Sequence, residues 1–215
     1  MNNGKSSIEY VLFDWDGTLL DSLAADASAY MHMFGALGMH WSMAQLKRHY
    51  SPNWHRVYRA ARLPRAQWEE ADRLWRHFYR MQTPKLQPGA LRVLRALDRH
   101  FKLALVSSGS RARVRRQLRE HKVSAMFLTK VCCEDAPRRK PHPAPMRMAL
   151  GKLKASPGAC VYVGDAPEDI EMAHRAGVRA IGVLGGSPVP ERLRGSEADA
   201  LIRTIRELPV LLRKF

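Results

Sequence analysis

The chain of 215 residues is poor in cysteine. Cys132, Cys133 and Cys160 are too few and wrongly spaced for a disulfide framework or a CxxC metal site, so they read as buried thiols in a reducing compartment. Long hydrophobic runs are also missing. The first seven residues are polar and read as loose, and no apolar stretch behind them is long enough for a signal sequence or a membrane span, which points to a cytoplasmic location. No repeat or low-complexity tract appears. Acidic residues are scarce relative to basic ones, 20 against 36, giving a formal net charge of +16. The hydrophobic content of 46% is ordinary for a globular chain, and the length allows one sizeable core plus an inserted element.

The most informative segment is FDWDGTLLDS. Ile8–Phe13 reads as a short buried strand that stops at Asp14 and gives way to a turn at Gly17. Asp14 then stands at the carboxyl end of a strand, where open α/β sheets place their ligands, with Asp16 close enough to serve the same centre. Such a pair suits covalent phosphoryl transfer. One carboxylate attacks phosphorus and the other protonates the leaving oxygen, provided a metal neutralises the crowded charge. Three later segments follow in order. Phe101–Val106 is a second apolar run ending in Ser107, Ser108, Gly109 and Ser110, small residues that bring backbone N–H groups close to an anion. Lys140 stands in the proline-rich RRKPHPAP. Cys160–Val163 is a further strand pattern running into GDAPED, which sets Asp165 and Asp169 one helical turn apart.

This order of motifs resembles the haloacid dehalogenase-like hydrolase superfamily over nearly the whole chain, most closely the branch that contains phosphoglycolate phosphatase-like enzymes. The resemblance implies Asp14 as nucleophile and Asp16 as general acid and base. Thr18 orders their loop and joins Ser107, Ser108, Gly109 and Lys140 in binding phosphate. It further implies a magnesium ion held by Asp14, the Asp16 backbone carbonyl, Asp165 and Asp169. In similar enzymes of the dehalogenase and phosphonate-cleaving kinds the acid at the Asp16 position is absent, so its presence here reads as a phosphatase or phosphomutase. A small phosphorylated metabolite is the expected partner, phosphoglycolate the leading substrate, and a sugar-phosphate mutase the first alternative.

Between residues 21 and 86 strand–helix alternation gives way to helical periodicity alone. The expected organisation is a catalytic core of residues 1–20 and 87–215, a doubly wound, Rossmann-like parallel sheet, with an α-helical cap inserted at 21–86. Leu23, Ala27, Tyr30, Met31, Phe34 and Leu37 recur at helical spacing, with Gly38 as the stop. A second helix follows Pro64, its apolar face formed by Trp68, Ala71, Trp75 and Phe78 as cap core. Ser51 and Pro52 suit a helix start, as N-cap and first helical residue. The segment Tyr50–Arg56 carries Tyr50, Asn53, Trp54, His55 and Arg56, and is the expected specificity loop. The remaining strand candidates are Phe127–Val131, Ala180–Val183 and Ala200–Ile202.

The positive charge raises a second alternative, a nucleic-acid-associated protein. Against it, the arginines are spread along the chain, the aromatics fall at helix-core spacing, and no nucleic-acid-binding motif is present. A solvated cationic surface is the plainer reading. In the densest run, after a Ser110 cap, Val114 and Leu118 face inward and Arg111, Arg115 and Arg119 form an exposed stripe.

Overall fold

A computed structural model describes residues 8–215; the N-terminal segment read as loose lies outside them. Its frame is a six-stranded sheet in which every pairing is parallel, in the order β3-β2-β1-β4-β5-β6. The strands are β1 (Tyr10–Phe13), β2 (Lys102–Val106), β3 (Phe127–Val131), β4 (Cys160–Gly164), β5 (Arg179–Val183) and β6 (Ala200–Ile202). The central ones are apolar on both sides because helices cover both faces. Val11, Phe13, Leu103, Leu105, Val161 and Val163 point into one layer with α5 (Ala90–Leu97), α6 (Arg111–Glu120) and α10 (Leu208–Leu212). Their neighbours Leu12, Ala104, Val106 and Tyr162 point into the other, with α7 (Ala144–Leu153), α8 (Pro167–Arg175) and α9 (Pro190–Arg194).

β1 lies between β2 and β4, with Phe13 in register with Leu105 on one side and Val163 on the other. The chain leaves β1 toward β2 and later crosses to β4, so the switch point of the sheet falls beside β1. Asp14, Ser107 and Asp165 are each the residue after a strand, so this topology alone gathers three distant motifs at one sheet edge.

Between β1 and α5 come α1 (Leu23–Ala36), α2 (Met43–His49), α3 (Trp54–Ala60) and α4 (Trp68–Arg80). They bury a separate cluster that includes Tyr30, Met33, Phe34, Leu46, Val57, Tyr58 and Ala71. The outgoing and returning strands of chain are tied together: Asp21 N–H donates to the Lys85 carbonyl, Gln87 N–H to the Leu19 carbonyl, and Leu20 bridges Leu86 in antiparallel fashion.

Three local expectations change. The helix expected to start at Ser51 begins at Trp54 after Asn53: Ser51 Oγ accepts the Asn53 N–H at 3.3 Å, closing a turn ahead of the helix, while its hydroxyl donates to Glu168 at 3.0 Å. Ser110 makes no side-chain cap; the free N–H of Arg111 is taken by Glu134 at 2.9 Å. Arg115 and Arg119 are exposed, whereas Arg111 is half-buried and paired with Asp135 at 2.6 Å. Arg56, Arg73, Arg116, Arg175, Arg192 and Arg194 are also paired with carboxylates, which disperses the positive charge. Among the described residues no helix is long and apolar enough to cross a membrane.

Phe34 is fully buried against Trp41, with ring centroids 4.7 Å apart. Phe34→Ala is expected to cost about 3–5 kcal/mol, through lost burial and the cavity left behind. Thermal melting followed by circular dichroism checks it, and an unchanged Tm would show that this cluster adds nothing to the cooperative unit.

Candidate active site

The turn after β1 is shaped by Gly17, whose φ of +75° suits glycine and whose missing Cβ leaves room for a carboxylate: a Cβ there would lie 2.1 Å from Asp165 Oδ2. This is how Asp14, at the tip of β1, and Asp165, at the tip of β4, come to share a site. Asp169, on the first turn of α8, completes a buried carboxylate group with them, offering oxygens within 4.8 Å of one another.

Lys140 holds this group together. Its ammonium donates to Asp14 Oδ1, Asp169 Oδ1 and the Tyr162 hydroxyl, each at 2.7 Å, and the side chain is 2% exposed. Tyr162 in turn donates to the Val106 carbonyl at 2.9 Å, so the lysine is aimed by the sheet itself. Burial opposes the charge on Lys140, but Asp14 and Asp169 outweigh it and hold its pKa above the ordinary value. One ammonium does not balance three acids. Burial pushes the Asp14 carboxyl up to about 7, against the pull of Lys140 and with further upward pressure from Asp169 and Asp16. Burial, then Asp14 and Asp169, raise Asp165 well above the carboxylate range.

The donor set fits a hard divalent cation. It offers oxygen only, and the excess anionic charge is the kind that such a cation relieves. Asp14 Oδ2 and Asp165 Oδ2 have no hydrogen bond among the described residues. Asp169 is more committed: its Oδ1 accepts from Lys140, and its Oδ2 accepts the N–H groups of Asp165 and Ala166 at 3.2 and 3.0 Å. Asp169 therefore orients Lys140 and the β4 turn, whatever else it binds.

The expected phosphate-binding residues divide. Thr18 is fully buried, and its hydroxyl donates to Asp165 Oδ1 at 3.2 Å, which fits ordering of the loop and not contact with a ligand. Ser107 is buried, its Oγ accepting the Gly109 N–H at 3.0 Å. Ser108 Oγ has no partner among the described residues and belongs to the cavity wall.

That cavity, of about 290 Å³, lies between the sheet edge and helices α1, α3 and α4 with the Tyr50–Pro52 segment. Asp14, Asp16 and Asp165 form its floor, and Asp26, Tyr50, Trp54, Tyr58, Trp75 and Tyr79 are among its walls. Trp75, expected in the cap core, thus faces the cavity. Of the expected specificity loop, Tyr50 and Trp54 line the cavity and Asn53, His55 and Arg56 do not. His55 Nδ1 lies 3.2 Å from Arg139 Nη1 and its ring stacks on Trp68, while Arg56 is half-exposed beside Glu168 at 3.5 Å. Arg56 is held by a neighbour outside the cavity, and His55 sits behind Arg139, which lines it.

Sequence reasoning missed Arg113. On α6, its guanidinium grips both oxygens of Asp16 at 2.7 Å. Only its spacing with Gln117, one turn later and also inward, hinted at a functional face. Tyr162 and Glu168 were hidden too, one inside an apolar strand and the other among neighbouring acids. Cys133, half-buried, also lines the cavity, while Cys132 and Cys160 are buried.

The sequence model of the haloacid dehalogenase-like hydrolases matches residues 11–183. "Pyrophosphatase PpaX" of Oceanobacillus iheyensis is 27% identical over 209 residues, 94% of this chain and 95% of that protein. The "Phosphoglycolate phosphatase" of Vibrio vulnificus is 28% identical over 218 residues, covering 95% and 96%. Among solved structures, a haloacid dehalogenase-like family hydrolase from Streptococcus pneumoniae superposes with a TM-score of 0.83 at 20% identity, over 95% of this chain and 98% of the other.

Asp26 supplies a test of the cavity's polarity. Burial, with the nearby Asp16 charge, pushes its carboxyl up to about 7 from an ordinary value of 3.8. The native state therefore keeps a proton that the unfolded chain has released, and stability falls as pH rises from about 4 through 7. Asp26→Asn is expected to raise Tm at about pH 8 and to change it little at about pH 4.5. Equal shifts at the two pH values would show that Asp26 carries no such strain.

Proposed function

We propose that this chain, which belongs to the haloacid dehalogenase-like hydrolase family, is a magnesium-dependent phosphatase that hydrolyses a small phosphate compound through a phosphorylated Asp14. The observation that carries this reading is the placement of Asp14 at the end of β1 with one oxygen on Lys140 and the other unbonded. A carboxylate so held presents a lone pair in a fixed direction, which favours attack over the mobile alternatives of a surface acid.

The ion would be held by Asp14 and Asp165, with Asp169 and the Asp16 carbonyl beside them. When bound, it would offset repulsion between the carboxylate nucleophile and an anionic substrate. The protein's own residues do the rest. Asp14 Oδ2 attacks phosphorus, the P–O bond to the leaving group breaks, and the leaving oxygen takes a proton from Asp16. Asp16, now a carboxylate, takes a proton from water as that water attacks the phosphorylated Asp14. Asp14 is regenerated and inorganic phosphate is released with the proton count closed. Lys140 keeps Asp14 oriented through both steps. Ser108 Oγ, which has no partner among the described residues, donates to a phosphoryl oxygen, while the Gly109 N–H is committed to Ser107 Oγ and shapes the loop. Helices α1 to α4 act as the cap that limits substrate size and excludes water.

Phosphoglycolate is the leading substrate, since a cavity of about 290 Å³ suits a small molecule and relatives include a phosphoglycolate phosphatase. Pyrophosphate is the second reading, supported by the relatives named as pyrophosphatases.

Asp14→Asn is expected to abolish turnover without loss of Tm, because the amide keeps the shape and loses the nucleophilic charge. Asp16→Asn is expected to slow an alkyl phosphate by about 10²–10⁴-fold and an aryl phosphate much less, since an acidic leaving group needs little proton donation. Steady-state rates on the two ester types, with and without magnesium, check both. An Asp14→Asn rate within about tenfold of the parent would remove Asp14 as nucleophile.

A further inference from the structure

Asp16 is not free to do acid–base chemistry in this structure. Both of its oxygens accept N–H groups of Arg113 in a two-pronged pair, with side-chain exposures of 24% for Asp16 and 13% for Arg113. Each oxygen keeps a further lone pair, but both are turned into the guanidinium, so presenting this acid to a leaving group means loosening the pair.

Arg113 itself is fixed by neutral groups. Its Nη1 also reaches Gln117 Oε1 at 3.2 Å and the Tyr79 hydroxyl at 3.4 Å, and its guanidinium lies 4.8 Å from the Tyr79 ring centre and 5.8 Å from that of Trp75. These contacts hold the fork in place whether or not Asp16 is in it. The fork also abuts the loop that follows β2: a Cβ on Gly109 would stand 2.3 Å from Arg113 Nη2. Arg113 therefore borders the floor carboxylates, the Ser108–Ser110 loop and the cap wall at once.

Removing Asp16 from this pair would break its two short bonds and leave a largely buried cation with only Asp26 as a nearby acid, which is unfavourable. A substrate can supply the compensation only if it brings an anion of its own, and a guanidinium fork matches carboxylate and phosphate oxygens equally well. The same cavity wall holds unpartnered donors that suit an oxygen-rich ligand: Ser108 Oγ, Trp54 Nε1, Trp75 Nε1 and Arg139 Nε have no hydrogen-bond partner among the described residues.

We infer that Arg113 is the receptor for a second anionic group on the substrate, and that Asp16 occupies this receptor until such a group displaces it. The inference rests on the phosphatase reading. It adds a substrate class, small phosphate compounds bearing a further carboxylate or phosphate, and a logic in which the correct substrate releases its own acid catalyst.

The test measures kcat and KM for phosphoglycolate, pyrophosphate and ethyl phosphate, which lacks a second anion, using the parent enzyme, Arg113→Lys and Arg113→Met. The parent is expected to favour the first two over ethyl phosphate by about tenfold or more. Arg113→Met should lose this preference from both directions: KM for the doubly anionic substrates rises about tenfold or more, and kcat for ethyl phosphate increases because Asp16 is released. Arg113→Lys, which keeps the charge without the fork, should fall between, and it remains informative if the methionine variant does not fold. A uniform fall in kcat on all three substrates with KM unchanged would overturn the inference, leaving Arg113 as a support for Asp16 alone. The two-anion preference of either phosphoglycolate or pyrophosphate identifies the distal group.

Hydrolysis of 4-nitrophenyl phosphate, which needs little help from Asp16, tests the phosphatase reading separately. If the parent hydrolyses none of these compounds, that reading fails, and calorimetric binding of phosphoglycolate decides the inference. Binding weakened about tenfold or more by Arg113→Met sustains the receptor, and equal binding overturns it.

Discussion

Everything at the sheet edge depends on one buried ammonium. Lys140 draws Asp14, Asp169 and Tyr162 to within 2.7 Å of a single point, and each of those partners is anchored to a different element: β1, α8 and β4. Without that charge the three acids would repel one another in a setting too dry to screen them. With it they still carry an anionic excess, of the kind that a hard divalent cation would relieve. Asp14 and Asp165 are both held above the ordinary carboxylate range, first by burial and then by the neighbouring acids, against the pull of Lys140.

A second charge pair sits above the first and has a different character. Lys140 is enclosed by partners that have no other place to go, whereas Asp16 faces the cavity and could exchange Arg113 for another partner. The two pairs divide the labour between permanence and turnover. The lower one fixes geometry and the upper one is built from groups that can trade places.

Much of this was legible in the sequence because it is carried by residues next to strand ends. Asp14, Ser107 and Asp165 each follow an apolar run, and a chain that alternates strands and helices has few ways to arrange such runs other than side by side. The strands Phe127–Val131 and Ala200–Ile202 were readable to the residue, and Cys160–Gly164 to within one. α2 was not, since Leu46 is its one buried residue and gives no period. The start of α3 was misplaced because Ser51 closes a turn onto the Asn53 N–H and is anchored to Glu168, 117 positions away in sequence. Arg113 was hidden for the same reason, standing 97 positions from Asp16 in a run of arginines that spacing alone could only sort by the apolar residues between them. Local pattern ranks inward positions by apolarity, so a charged residue turned inward by a distant partner escapes it.

The two passages of chain joining β1 to α1 and α4 to α5 have a mechanical consequence. They cross side by side, clamped by Asp21 to Lys85, Gln87 to Leu19 and the Leu20–Leu86 bridge, and the Gln87 side chain reaches on to the Gly17 carbonyl at 3.1 Å. Two independent linkers would let helices α1 to α4 swivel freely. A clamped ribbon resists twisting and bends along one axis, and its far end is stitched to the turn that holds Asp16. Any rocking of those helices would therefore be transmitted as leverage on the turn beneath them, in the manner of a door whose hinge pin passes through the lock.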